Sequence, residues 1–536
     1  MLTDVAPGRV GDDLASSPTP GGRPVPWDGI AVAALLALIP IVHDLSTMLT
    51  APYWLDEAWV ALSVRFPLGD LPVTTSSTPI GWSLLLRLVP DEDYLRVVPL
   101  FFHALTVCAA YALGRLALPP GRRTGIVAGL VCGAGVLLLP AQQVRHDLKQ
   151  YSADAFVAVG LLALTAWTER GWSRQRLGIL AAAIGVGMFV SHVTAIIAPC
   201  VLGGLFLATS VRRQWARLVE VTVTGFSAAL AAAAVYLTFS ARARSSAMQE
   251  FWAAFFPRLG EVPGYLGQRG EALSRIFGAP VPLVLCLVVV GVVTFVRWDR
   301  PATAGAVLLL PLVVITLAVS KVYPLLDPRT SHFLFVTAAA VAGVGLSGLA
   351  HRAATIAQRV YRRPSTTIAT ATVCAVLVGA FAVHNSRWYR FDGDEPGLDR
   401  TPIAMTDVRE QTRYVNAHRA RNDVIVLSST AAYGFAFYST RDDVSLVAPY
   451  SNTVTWWIRM PVDSGVVVIS GPDEKAIRGG LGRALTLAGE RGGARVWLIR
   501  SFVVGEEVAA WQAVLADYRV EQMTKGVEPV AVISEH

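Results

Sequence analysis

Apolar residues fill this chain in long blocks separated by short polar turns, and most blocks approach the ~20 residues that cross a bilayer as a helix. About eleven blocks stand out, near 28–47, 95–117, 124–141, 151–168, 176–192, 193–210, 219–240, 279–296, 302–320, 331–350 and 366–384. The break between the fifth and sixth, at Ser191-His192-Val193-Thr194, is the weakest. The turns fall into two sets. One is short and arginine-rich: Arg115/Arg122/Arg123, Arg170/Arg174/Arg176, Arg212/Arg213/Arg217, Arg297/Arg300 and Arg352/Arg359/Arg362/Arg363. Such turns face the cytoplasm. The other set, 53–93, 142–154, 191–194, 241–278 and 321–332, is mostly longer and mixes cations with acids, aromatics and prolines. It should face outward together, and an odd number of spans sends the C-terminus outward too.

After the last block the pattern shortens. Val424-Ile425-Val426-Leu427, Gly465-Val466-Val467-Val468-Ile469 and Ala494-Arg495-Val496-Trp497-Leu498-Ile499 read as buried strands, with helical periodicity near 404–420, 474–490 and 506–518. This alternation predicts a mostly parallel sheet covered by helices. No GxGxxG follows its first strand, so no nucleotide is assigned, and a scaffold or lid role stands beside a substrate-binding one. The expected architecture is an α-helical polytopic membrane domain over 28–390 and a soluble extracytoplasmic α/β domain over 391–536. Residues 1–27, rich in Gly, Pro and Ser, read as a disordered cytoplasmic tail without the features of a signal peptide.

Composition agrees. The chain is 53% hydrophobic and 16% charged, with a mean hydropathy of +0.49. Its formal charge of +7 does not indicate nucleic acid, because the arginines sit in separate turns rather than on one face. Cys108, Cys132, Cys200, Cys286 and Cys374 lie inside apolar blocks without metal or redox spacing. Four lysines accompany 42 arginines, and Lys149 and Lys321, the two in the membrane region, both fall in outward loops.

The outward loops carry the candidate chemistry. Asp56-Glu57, within Tyr53-Trp54-Leu55-Asp56-Glu57-Ala58-Trp59, places two carboxylates at a membrane boundary, where charge is costly and usually functional. They open an amphipathic stretch, 57–66, that should lie in the interface; on the plainer alternative Asp56 caps that helix and Glu57 favours its positive end. Ser77-Thr78-Pro79-Ile80-Gly81-Trp82 opens a second surface helix, with Thr78 as cap. In Arg145-His146-Asp147-Leu148-Lys149-Gln150-Tyr151-Ser152-Ala153-Asp154, a helix would set Arg145 and Lys149 one turn apart, suiting a phosphate, with Asp147, Tyr151 and Asp154 along another face. Lys321-Val322-Tyr323-Pro324-Leu325-Leu326-Asp327-Pro328-Arg329-Thr330-Ser331-His332 forms a third cluster. Cations anchoring helix ends at headgroups, and His192 as a hydrogen-bonded filler, are the plainer alternatives. Met248, Phe251, Trp252, Phe255 and Phe256 predict an aromatic interfacial helix. No zinc spacing, Walker loop or nucleophile elbow occurs.

In the order and common sidedness of these elements, the chain resembles the GT-C superfamily of membrane glycosyltransferases. The likeness is to the protein O-mannosyltransferase and aminoarabinose–lipid A transferase type and related actinobacterial cell-envelope enzymes. The resemblance rests on Asp56-Glu57 after the first span, Thr78-Pro79-Ile80-Gly81-Trp82, Arg145…Lys149…Tyr151, Lys321…Tyr323-Pro324…Arg329 and the soluble tail. It implies a bacterial plasma-membrane enzyme moving a monosaccharide, with inversion, from a polyprenyl-phosphate donor to a lipid, glycan or protein acceptor of the envelope. By that analogy Asp56 is the base, with Glu57 beside it. Arg145, Lys149, Lys321 and Arg329 would hold the phosphate, and Tyr151 and Tyr323 the phosphate or sugar. Asp147, Asp154, His192 and His332 stand as alternatives for the acceptor or a second acid. No cofactor is assigned, and a divalent metal stays open. A lipid-linked-sugar transporter or flippase, which calls for broken helices and polar groups at mid-bilayer, and a non-catalytic envelope-assembly subunit are the competing readings.

Overall fold

The computed structural model describes residues 27–74, 78–118, 122–140, 147–240, 250–361, 366–389, 407–439, 445–447, 457–460 and 464–536. Each of the eleven apolar blocks contains a helix. Among the described residues seven helices are long and apolar enough to cross a membrane, from Glu92–Ala117 to Thr366–His384, and a bent pair, Gly270–Phe277 and Val281–Arg297, makes an eighth. Trp27–Val42, Arg122–Leu137 and Arg174–Val190 are apolar helices of 16, 16 and 17 residues, slightly shorter than a full span. The chain is an integral, multi-pass membrane protein. The tail before residue 27 lies outside the described residues.

Without a hydrophobic force between helices in lipid, close backbone approach is what packs them. Gly345 of the His332–Tyr361 helix lies so near Leu287 that a Cβ would strike the Leu287 carbonyl oxygen. The bent pair turns 67° at Gly278, whose φ of +64° suits a residue without Cβ. Asn385 Nδ2 donates to the Gly278 carbonyl at 3.2 Å and pins that elbow. Tyr151–Arg170 is the most enclosed span, with 78% of its apolar window buried, whereas only 6% and 11% of the Trp215–Thr238 and Thr366–His384 windows are buried, as in lipid-facing helices.

The C-terminal region builds a five-stranded sheet among the described residues, in the order β4-β1-β5-β7-β6. The strands are β1 (Val424–Leu427), β4 (Val466–Val468), β5 (Val496–Ile499), β6 (Arg519–Gln522) and β7 (Ala531–Ser534); β2 (Ser445–Val447) and β3 (Trp457–Arg459) form a separate hairpin. β1 is parallel to β4 and β5, as the apolar runs indicate, though β4 is half-buried rather than buried; β7 and β6 join antiparallel, so the sheet is mixed rather than mostly parallel. Strand alternation covers both faces. Val424, Val426, Val496 and Leu498 pack under the Glu474–Glu490 and Glu506–Leu515 helices. Ile425, Leu427, Trp497 and Ile499 join a core that runs on through the Ala432–Tyr438 helix into residues 53–62.

That continuous core corrects one expectation. The Leu55–Ser63 helix does not lie amphipathically on a lipid surface, since every residue from Glu57 to Ser63 is buried. The Ala432–Tyr438 helix covers it, and the backbone N–H of Tyr53 donates to the Tyr438 hydroxyl at 2.7 Å. The second short helix, Ile80–Leu86, takes Pro79 rather than Thr78 at its N-cap; Thr78 Oγ1 instead meets Ser83 Oγ at 3.3 Å. Of the predicted aromatic helix, only Glu250 and Phe251 are α-helical among the described residues. Ala253–Phe255 forms a single 3-10 turn whose Phe255 carbonyl accepts from Leu325 N at 3.0 Å; Met248 lies outside the described residues.

Candidate active site

Asp56 is the second residue of the Leu55–Ser63 helix, and its side chain does not cap it. The reach back to the helix start comes from Glu57, whose Oε2 accepts from Trp54 N at 3.3 Å. Asp56 is free to point elsewhere: its Oδ2 accepts from Lys149 Nζ at 3.0 Å and from Arg329 Nη2. Arg329 Nη2 also meets Asp147 Oδ2 at 3.2 Å. Two carboxylates and two cations from three distant loops therefore converge, Asp147 nearly buried and Asp56 still 23% exposed.

Local turns place each cation. The helix holding Tyr151 begins at Tyr151, so Asp147 to Gln150 lie before it and the expected helical spacing does not apply there. Instead Asp147 Oδ1 accepts from Lys149 N at 3.0 Å, an Asx-type turn that swings the lysine toward Asp56. Trp59 lies under the Lys149 ammonium, 5.2 Å from ring centre. In the third loop Asp327 Oδ2 accepts from Arg329 N, Thr330 N and Thr330 Oγ1 at 3.2, 2.8 and 3.0 Å. Tyr323 closes this turn by donating its hydroxyl to the Thr330 carbonyl at 2.6 Å. The Arg329 guanidinium lies 5.0 Å from the Trp54 ring centre and 5.6 Å from that of Tyr151, which fixes its plane by cation–π contact.

Electrostatics follow from this geometry. Burial acts to raise the Asp56 pKa, but the adjacent Lys149 and Arg329 charges and their hydrogen bonds outweigh it and hold the carboxyl well below the ordinary carboxylate range. Asp56 is thus ionised and reachable. Glu57, expected beside it as a second catalytic carboxylate, is committed elsewhere: both its oxygens engage Arg96, at 2.8 and 2.5 Å. Arg96 also donates to the carbonyls of Met48 and Pro52.

The other candidates separate. Asp154 is buried in the first turn of its span and accepts from Ser191 Oγ at 2.5 Å. His332 lines a small cavity with His103, Thr106 and Ser152. Lys321 is exposed in left-handed backbone (φ 57°) at the end of the Pro301–Val319 helix, and His192 is exposed between two helices. No described contact joins either to Asp56. Arg145 lies outside the described residues. Among the described residues no group of three or more His, Cys, Asp and Glu side chains could hold a metal ion, and the Arg329 guanidinium bridges Asp56 and Asp147.

Trp54, Trp59, Arg96 and Asp327 belong to the arrangement but were not singled out from sequence. Only Arg96 carried a signal, a cation at the head of an apolar block that needs a buried acid.

No protein-family model matches the chain, and no curated protein does. The fold does match solved structures. The crystal structure of ArnT from Cupriavidus metallidurans in the apo state superposes with a TM-score of 0.53 at 12% identity, over 95% of this chain and 97% of that one. The same protein bound to undecaprenyl phosphate gives 0.53 and 12%, over 94% and 97%. The archaeal oligosaccharyltransferase AglB from Archaeoglobus fulgidus, in complex with an inhibitory peptide and a dolichol-phosphate, gives 0.51 and 12%, over 88% of this chain and 69% of that one. The chain has the GT-C fold.

Proposed function

We propose that this protein transfers a monosaccharide from a polyprenyl-phosphate donor to a hydroxyl of a cell-envelope acceptor, at the outer membrane face and with inversion. The observation that carries the reading is the meeting of Asp56, Lys149 and Arg329 at one partly open point. The lipid phosphates bound by the ArnT and AglB structures of the same fold support it. In this reading the N-terminus is cytoplasmic, residues 28–390 form the catalytic membrane domain, and residues 391–536 form an extracytoplasmic domain.

The reaction needs a base on one side of the anomeric carbon and positive charge on the other. The acceptor oxygen attacks the anomeric carbon and its proton passes to Asp56. The bond from that carbon to the phosphate oxygen breaks, and its electron pair stays on the lipid phosphate. Attack opposite the leaving group inverts the centre. Lys149 and Arg329 are the cations for the phosphate, Tyr151 and Trp54 keep Arg329 oriented, and Tyr323 keeps its loop. Glu57 is a positioning residue, holding the Asp56 helix through Arg96.

An Asp56 gripped by two cations is a weak base. A donor phosphate entering beside it competes for Lys149 and Arg329, so loading the donor releases the carboxylate and strengthens it as a base. Donor binding and base activation are one event on this account. The test is purified protein supplied with a polyprenyl-phosphate sugar and envelope acceptors, followed by mass spectrometry. Glycosylated acceptor supports the reading, and movement of the donor across the bilayer without product would replace it with a transporter.

A further inference from the structure

The sheet has a reversal in strand order that points at the catalytic cluster. From β1 the chain goes to β4 on one side, then crosses through the Glu474–Glu490 helix to β5 on the other. In open α/β sheets, ligands bind at the carboxyl ends of the strands where the order reverses, here between β1 and β5. The residues at that crevice are Ser428 to Thr430 and Arg500 to Phe502. They are stitched together: Ser428 N donates to the Ile499 carbonyl at 3.1 Å, Ser501 N donates to Ser428 Oγ at 3.2 Å, and Thr430 Oγ1 donates to the Ser501 carbonyl.

One ring contact links these strand ends to the Asp56 cluster. The Phe502 ring meets Trp54 edge-to-face at 6.3 Å, and Trp54 is the residue under the Arg329 guanidinium. Phe502 takes left-handed backbone, φ 52°, which is uncommon for an aromatic residue and clusters at functional sites. Both rings are half-buried, as are Ser429 and Thr430. The nearby Arg500 is paired with Glu528 at 3.2 Å. The lining therefore offers hydroxyls and aromatic faces, and its nearest cations are paired, Arg500 with Glu528 and Arg329 with Asp56 and Asp147.

We propose that this crevice is the acceptor subsite and that its occupant is a neutral glycan, whose hydroxyls meet Ser429 and Thr430 and whose apolar ring face lies on Phe502 and Trp54. The assignment rests on the transfer reading for its purpose and names the acceptor class that reading leaves open. It makes the C-terminal domain part of the binding site rather than a scaffold.

The probes are neutral di- and trisaccharide methyl glycosides of mannose, glucose, galactose and arabinofuranose, with a Ser/Thr-containing peptide as counter-probe. Binding to full-length protein in lipid nanodiscs is read by saturation-transfer NMR. Phe502→Gly removes the ring while suiting the positive φ, and should weaken glycoside binding roughly 10-fold, the scale of a lost aromatic contact. Phe502→Trp should restore it. Ser429→Trp, which fills the crevice from a half-buried position, should also block it. Undecaprenyl phosphate binding should stay within about twofold in all three, since none of these residues is a cation for the phosphate. Wild-type binding that survives both Phe502→Gly and Ser429→Trp overturns the proposal. So does peptide binding in place of glycan binding, or the absence of any saturable glycoside binding. Protein that binds glycosides at the crevice yet moves no sugar from its donor leaves the subsite standing and removes the transfer reading.

Discussion

Arg96 and Glu57 face each other in a two-point ion pair, at 2.8 and 2.5 Å, with 2% and 1% of their side chains exposed. Removing one partner strands a buried charge, which costs about 3–5 kcal/mol, whereas removing both leaves no unpaired ion. Arg96→Ala and Glu57→Ala should each lower the thermal unfolding midpoint sharply. The Arg96→Ala/Glu57→Ala double variant should be less damaged than the two effects summed. Additive losses in that cycle would show the pair is not coupled.

Asp56→Asn keeps the shape of the side chain but cannot take up the acceptor proton. Transfer should fall by roughly 10²–10⁴-fold, the scale of a lost general base. The folded protein should persist, and undecaprenyl phosphate should bind at least as tightly, because Lys149 and Arg329 then lose a competing carboxylate. Near-normal product formation by this variant would remove Asp56 from the mechanism.

The grip of Lys149 and Arg329 on Asp56 also sets a pH signature. A carboxylate whose folded pKa is depressed contributes stability that is present above its unfolded value, ~3.9, and is lost as pH falls through the folded value. Free protein should therefore keep this contribution at mildly acidic pH. If the donor phosphate draws the two cations away, Asp56 titrates higher in the donor complex. The acid limb of kcat should then lie at higher pH than that of kcat/KM, since the former reports the bound complex and the latter the free protein. Coincident limbs would argue against the exchange of ion partners.

The helical blocks were legible because about 20 apolar residues in a row have few alternatives: each contains a helix, and eight of the eleven reach spanning length among the described residues when the bent pair is counted as one. Strands β1, β4 and β5 were equally legible as short apolar runs, although β4, at the sheet edge, is only half-buried. β6, all four of whose residues are exposed, carries no such run. Asp56, Lys149 and Arg329 were visible as costly charges near a membrane boundary, but their meeting was not, because residues 56, 149 and 329 share no local spacing. Long-range packing is what the local pattern does not carry. Residues 57–66 read as an amphipathic interfacial helix because sequence alone cannot show the Ala432–Tyr438 helix covering residues 57–63. The Arg96–Glu57 pair is equally long-range, and nothing near residue 57 announces it.

Arg329 separates charge from shape. Its Nη2 touches both Asp56 and Asp147, and its plane is held between Trp54 and Tyr151. Lysine at this position could reach a phosphate as a point charge, but it lacks the planar fork and the ring stacking. Arg329→Lys should thus retain much of the donor affinity while transfer slows by roughly 10–100-fold, because a leaving phosphate must be met in a fixed direction as its charge grows. Arg329→Ala should lose both. Donor KM and kcat measured side by side distinguish the cases: a rise in KM alone would mean that Arg329 supplies binding charge and nothing directional, and the account of its aromatic seat would have to be given up.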